Sequence, residues 1–155
     1  FLKDNELDTS IIDGAKNDLK ILGICLGMHL LFERSDEFGK TKGLSLLKGN
    51  VKKIRIANNK KNQVPNLGYH KIYKKFKRNQ YSHYDKFEKK SFYFAHSFSV
   101  NNFDEQDNEF YTIDFETKKI LAFLKNDNIS GCQFHPELSG KIGLDFLTTF
   151  INYTN

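Results

Sequence analysis

Three side chains in this sequence have the types and spacing for nucleophilic catalysis: Cys25, His135 and Glu137. Cys25 stands in "G-I-C-L-G", where a short apolar run, Ile21 to Ile24, meets Leu26, Leu30 and Leu31 at helical spacing. A tight strand-to-helix turn pushes one side chain out at the top of a sheet while its backbone is held rigid. Such a turn crowds the neighbouring backbone, which favours glycine two residues before and after, here Gly23 and Gly27. The pattern is the thiol version of the G-x-S-x-G nucleophile elbow. A helix N-terminus aimed at the sulfur favours thiolate over thiol, and the Leu26 amide points at a developing oxyanion. Taken alone, the pattern fits a buried structural cysteine equally well, and a base elsewhere in the chain has to decide between the two.

"Q-F-H-P-E" supplies such a base. A thiol nucleophile needs a group to take its proton, and that group needs another to fix its tautomer. His135 can be the base and Glu137 the orienter, with Pro136 stiffening the link. An incidental histidine in a surface loop is the plain alternative for this segment by itself; the two motifs together are far more specific.

The elements that must position these residues follow from pattern. A helix carrying Ile11, Ile12, Ala15 and Leu19 is predicted, capped by Asp8, Thr9 or Ser10. Strand 20–24 and helix 26–34 form the elbow, and "SDEFGKTKG" reads as a polar loop. Strands are predicted over 50–56, 70–76, 91–100, 110–115, 119–124 and 129–134, with "ANNKKNQVPNLG" as a loop and a final helix over 142–151. Phe92, Phe94 and Phe98 recur at strand spacing, which argues for core packing. Helices flank the first and last strands while strands crowd the middle, so an α/β core with an inserted antiparallel layer is expected.

The 155 residues suit one domain spanning the chain. A run of about 18 apolar residues, the length a membrane span needs, is not found, and no membrane association is expected. Two cysteines are too few for a disulfide scaffold and suit a reducing cytoplasm. The net charge of +5 can signal nucleic acid. The densest cluster, "KIYKKFKR", reads first as an exposed strand and turn with solvated lysines, and no nucleic-acid partner is expected. C-x-x-H at Cys132 and His135 is half a zinc pattern, but Cys132 reads as a small buried strand residue and no metal is expected. His70 and His83 read as surface or loop residues.

"GICLGM…LLFE" and "GCQFHPE" resemble the two signatures of the class I, triad-type glutamine amidotransferases. "VPNLGY", "FYFAHSF" and "HPELSGKIGLDFLTTFI" resemble segments of one branch, the glutaminase subunits of imidazole glycerol phosphate synthase. The match runs in order over nearly the whole chain. It implies a flavodoxin-like sheet with flanking helices. It also implies glutamine as substrate, with Cys25, His135 and Glu137 as the triad and Leu26, Gly27, His29 and Ser97 around the oxyanion and substrate. The implied partner is a (βα)8-barrel cyclase bound as a heterodimer, with Pro65, Asn66, Gly68, Tyr69, His96 and Leu138 on the facing side and His96 structural or interfacial rather than a second base. No cofactor is implied.

The chain differs from the family pattern at three places. His29 stands where glutamine is usual and cannot offer the same amide pairing. Leu138 and Tyr69 stand where a basic residue and a tryptophan are usual, which admits a sugar amidotransferase of surface-polysaccharide synthesis as another acceptor. The family's first strands and glycine-rich oxyanion loop have no counterpart, so an N-terminally incomplete chain is expected. A non-catalytic binding subunit is the reading from another functional class.

Overall fold

The computed structural model describes residues 6–56, 64–75 and 81–153. Residues 57–63 of the predicted loop, and Phe76 to Arg78 of the strand and lysine cluster, lie outside them. In chain order the elements are α1 (Leu7–Lys16), β1 (Ile21–Ile24), α2 (Leu26–Leu31), β2 (Arg34–Ser35), β3 (Thr41–Lys42), β4 (Asn50–Lys53), β5 (Asn66–Lys71) and β6 (Tyr73–Lys74). There follow β7 (Ser91–His96), β8 (Phe98–Asn101), β9 (Glu109–Phe115), β10 (Lys118–Asn126), β11 (Ile129–Cys132) and α3 (Gly140–Tyr153). Among the described residues, no helix is long and apolar enough to cross a membrane.

The main sheet has the order β1-β11-β10-β9-β6. β1 runs parallel to β11, with Ile24 opposite Cys132, and the other pairs are antiparallel. A second sheet, β3-β2-β4-β8, and a ribbon, β5-β7, form the additional strand layer. This is the α/β arrangement with flanking helices that the sequence led us to expect, and the expected 110–115/119–124 hairpin is the β9–β10 pair.

The sheet has an apolar core on each face. On one face Phe146 of α3 meets the rings of Tyr84, Phe87, Phe92, Phe123 and Phe134 at centroid distances of 5.0–5.8 Å. On the other face Ala15 of α1 and Met28 and Leu31 of α2 pack with Leu121, Leu124 and Ile129. β10 serves both cores by alternation, Ile120 on the aromatic side and Leu121 on the other, and its register shift between Leu121 and Phe123 puts Ala122 and Phe123 together on the aromatic side.

Several elements end differently from the pattern. α1 begins before Asp8, Thr9 and Ser10, and none of them caps it; the Ser10 hydroxyl bonds back to the Glu6 carbonyl at 3.1 Å instead. Leu19 lies past its end, where Asn128 Nδ2 bonds the Ala15 and Leu19 carbonyls, each at 2.9 Å. α2 stops at Leu31 rather than continuing to Arg34. The loop after β3 takes over its last carbonyls, with Leu44 N–H on Leu30 O at 2.7 Å and Leu46 and Leu47 N–H on Leu31 O at 2.9 Å. Only glycine fits where that loop turns, since a Cβ at Gly43 would lie 2.0 Å from Phe32 O.

Strand 91–100 breaks at Ser97 because the chain leaves the β5 ribbon and joins β4 in the second sheet. The predicted polar loop after α2 contains the short β2 and β3, and Gly68 lies inside β5 rather than in a loop. Lys74, expected to be solvated, is half-buried and ion-paired to Asp85 and, at 3.5 Å, to Glu109. Tyr111 closes that cluster through its hydroxyl.

Candidate active site

β1 and β11 bring the two motifs together. They are neighbours and parallel, so both end at the same edge of the sheet, the place where open α/β sheets bind ligands. The Cys25 amide extends the ladder by donating to Cys132 O at 2.8 Å. Cys25 then turns to φ 49°, ψ −104° as α2 begins. That is sparsely populated backbone for any residue with a side chain, costing on the order of 1–3 kcal/mol. It is the sharp elbow that the glycine spacing predicts.

The two glycines differ in their reasons. A Cβ at Gly23 would sit 2.6 Å from Gly27 O and 2.7 Å from Met28 N, so the elbow closes only over glycine. A Cβ at Gly27 would meet nothing within 4 Å among the described residues. Crowding, the expected reason for Gly27, is therefore not the reason within this chain. Gly131 plays a part that its sequence position did not advertise. A Cβ there would press on Met28 Cγ at 2.8 Å, so its absence lets α2 lie across β11.

β7 fixes the other half of the site. The His135 amide donates to Tyr93 O at 2.8 Å, and two residues along β7 the Ala95 carbonyl lies 3.9 Å from Cys25 Sγ. One strand thus touches both the thiol and the histidine backbone. A 3-10 turn, Pro136–Leu138, carries Glu137 back so that its Oε1 lies 2.7 Å from His135 Nδ1. Ser139 locks this turn: its hydroxyl donates to His135 O at 2.6 Å and accepts from Tyr93 N–H at 3.0 Å. α3 begins directly afterwards and packs so closely that a Cβ at Gly143 would fall 1.8 Å from Pro136 O.

The electrostatics of Cys25 run against the expectation that the helix N-terminus would favour thiolate. Burial pushes the thiol up and outweighs the Leu26 amide, which favours thiolate. The Glu37 and Glu137 carboxylates also push it up, against the lowering effect of the Gln133 amide. At neutral pH the sulfur therefore needs a base if it is to act as a nucleophile.

Sequence reasoning did not assign Gln133, Ser139, Glu37 or Gly143. Gln133 could have been singled out, because it is polar within the otherwise apolar end of a strand. Glu37 is one of several acids in a polar loop and carries no such signal. His29, expected at the substrate, is buried and bonded on both ring nitrogens, to Glu37 Oε2 at 2.8 Å and Gln133 Oε1 at 2.9 Å.

On the expected partner side, Asn66 and His96 are buried against each other, with Asn66 Nδ2 donating to His96 Nε2 at 2.9 Å. His96 Nδ1–H donates to Phe98 O at 2.7 Å and so braces the sheet-switching bend at Ser97. Pro65, Tyr69 and Leu138 are exposed, and Gly68, at φ 126°, takes a conformation reserved for glycine. Cys132 is fully buried in the aromatic core. Among the described residues, no group of three or more His, Cys, Asp or Glu side chains is placed to hold a metal ion. His83 stacks on Tyr153 at 4.0 Å, and His70 packs edge-on against Phe94 and Phe115.

Comparison with known proteins fits this geometry. An imidazole glycerol phosphate synthase subunit HisH from Caldanaerobacter subterraneus subsp. tengcongensis is 39% identical over 137 residues, covering 83% of this chain and 60% of that protein. The Bacillus subtilis protein of the same name is 35% identical, covering 94% of this chain and 67% of its own length. A crystal structure of a glutamine amidotransferase superposes with a TM-score of 0.67 at 13% identity, covering 96% of this chain and 69% of that one. A putative GMP synthase component from Thermoplasma acidophilum superposes at 0.58 with 22% identity, covering 96% and 65%. The sequence model of the family described as glutamine amidotransferase class-I matches residues 3–151, and with the elbow and the His-Pro-Glu turn in their places, the chain belongs to that family.

Proposed function

We propose that this chain is the glutaminase part of an imidazole glycerol phosphate synthase, with Cys25, His135 and Glu137 as its triad. The supporting observation is the meeting of the elbow and the His135–Glu137 pair at one sheet edge, in a chain similar to proteins named as HisH subunits. Cys25 Sγ attacks the side-chain carbonyl carbon of glutamine as His135 takes the thiol proton. The tetrahedral oxyanion faces the Leu26 amide. His135 then passes its proton to the departing nitrogen, and ammonia leaves a γ-glutamyl thioester. Water, deprotonated by His135, attacks the thioester, and the proton returns to sulfur as glutamate departs.

No metal or organic cofactor takes part in this chemistry. Gly27 and Ser97 line the substrate side. The ammonia passes to a (βα)8-barrel cyclase, which closes the imidazole ring in a lyase-type step and releases imidazole glycerol phosphate and an aminoimidazole carboxamide ribotide. Exposed Leu67, Tyr69 and Leu138 form an apolar surface suited to that heterodimer. The reducing cytoplasm, where both thiols stay free, is the setting we assign.

The test is glutamate release from glutamine in the presence of the cyclase. Cys25→Ala should abolish it, and unchanged turnover in that variant would refute the reading. Tyr69 and Leu138 favour, as a second reading, a sugar amidotransferase as acceptor; recovery of the cyclase in a native pull-down excludes that version. Stoichiometric labelling of Cys25 by a glutamine-mimicking electrophile excludes a purely binding role.

A further inference from the structure

Behind Cys25 lies a line of side chains that the triad does not use. Gln133 is fully buried at the end of β11. Its Nε2 lies 3.8 Å from Cys25 Sγ and its Oε1 2.9 Å from His29 Nε2. His29, 3% exposed, continues the line through Nδ1 to Glu37 Oε2 at 2.8 Å.

Donors and acceptors along this line are not independent. The Glu37 carboxylate accepts, so His29 Nδ1 carries hydrogen. With the Gln133 oxygen towards His29, Nε2 must carry hydrogen as well, and the amide N–H is then left for the sulfur, where it favours thiolate. With the amide reversed, His29 Nε2 accepts and the amide oxygen faces the sulfur, where it favours S–H. The hydrogen on His29 Nε2 and the group presented to Cys25 are thus one variable.

We propose that His29 is a positioning residue for the nucleophile. Held by Glu37, it donates to Gln133 Oε1 and thereby aims the Gln133 amide N–H at Cys25 Sγ. Other ionisable groups around this line, among the described residues, include Cys132 at the end of β11, His96 on β7, and His135 and Glu137 on the turn after β11. A residue that replaces the family's usual glutamine is in this way bound into the machinery behind the sulfur. The catalytic consequence rests on the proposed glutaminase reading, but the contact itself can be read without glutamine.

The experiment is the pH dependence of Cys25 alkylation by iodoacetamide in the whole chain, followed by peptide mass so that Cys132 is counted separately. In His29→Met, which has no donor for Gln133 Oε1, and in Gln133→Met, alkylation at neutral pH should slow about tenfold, a loss of about 1.4 kcal/mol of thiolate stabilisation. The double variant should be no slower than either single one, because both act through one contact. A His29→Met profile that superimposes on the wild type overturns the proposal, as does a double variant slowed by the product of the two. A measurement free of any folding defect is the nitrogen NMR of the wild-type His29 ring. A hydrogen on Nε2, bonded to Gln133 Oε1, is expected, and a bare Nε2 overturns the assignment. Loss of glutamine hydrolysis alone, with the alkylation pattern as expected, removes the glutaminase reading and leaves this role standing.

Discussion

The imidazole Nδ1 of His135 lies 2.7 Å from Oε1 of Glu137, two residues further along the chain. With that nitrogen donating to a carboxylate, the other is left as the basic one, and the tautomer is set before substrate arrives. Glu137→Gln keeps the size and loses the charge. It is expected to slow glutamine hydrolysis about 10²–10⁴-fold, with thermal stability nearly unchanged because Glu137 is half-exposed. Glutamate release at saturating glutamine checks this, and a loss smaller than threefold would contradict it.

Gly143→Ala should be among the most damaging small substitutions in the chain. The added carbon would fall 1.8 Å from Pro136 O, which is backbone and cannot swing away. Either α3 lifts from the turn or the turn moves, at a cost of about 1–3 kcal/mol or more. A fall in melting temperature together with weakened activity is expected, whereas Gly27→Ala, with open space around it, should fold normally.

His96 ties stability to pH. Burial lowers its ionisation from 6.5 to about 4, so the folded chain holds it neutral while the unfolded chain protonates it more readily. Its stabilising contribution is complete above pH 6.5 and is lost as the pH falls towards 4. The full loss is on the order of 3 kcal/mol. Urea denaturation across that window should show the decline in the wild type and a smaller decline in His96→Asn.

Tyr69 is 61% exposed and donates its hydroxyl to Leu138 O at 2.9 Å, so the β5 ribbon and the turn after β11 present one surface. If the cyclase docks there, Tyr69→Ala should weaken the complex about tenfold, the effect of losing an aromatic contact of roughly 1–2 kcal/mol. Tyr69→Phe should weaken it less. Titration calorimetry distinguishes these outcomes, and equal affinity for all three proteins would place the interface elsewhere.

The sequence was most legible where local chemistry alone decides the structure. G-I-C-L-G could be read as an elbow because its bend is built from adjacent residues, and the β9–β10 hairpin because its alternation is strong. Element ends were less legible. α2 stops at Leu31 because a loop some 15 residues later takes its carbonyls, and strand 91–100 breaks because its halves serve different sheets. Both causes are contacts between segments distant in the chain, which no window of residues contains. The same holds at the site. The G-I-C-L-G and Q-F-H-P-E motifs announce themselves, while His29 acquires its second partner only when β11 brings Gln133 alongside α2.

The backbone at Cys25 leaves a trade-off open to measurement. Its φ of 49° and ψ of −104° are comfortable only for glycine. Evolution for endurance alone would put glycine there, and Cys25→Gly should melt later than the native chain while doing no chemistry. In that reading the thiol sits where thermal robustness and reactivity ask for opposite residues.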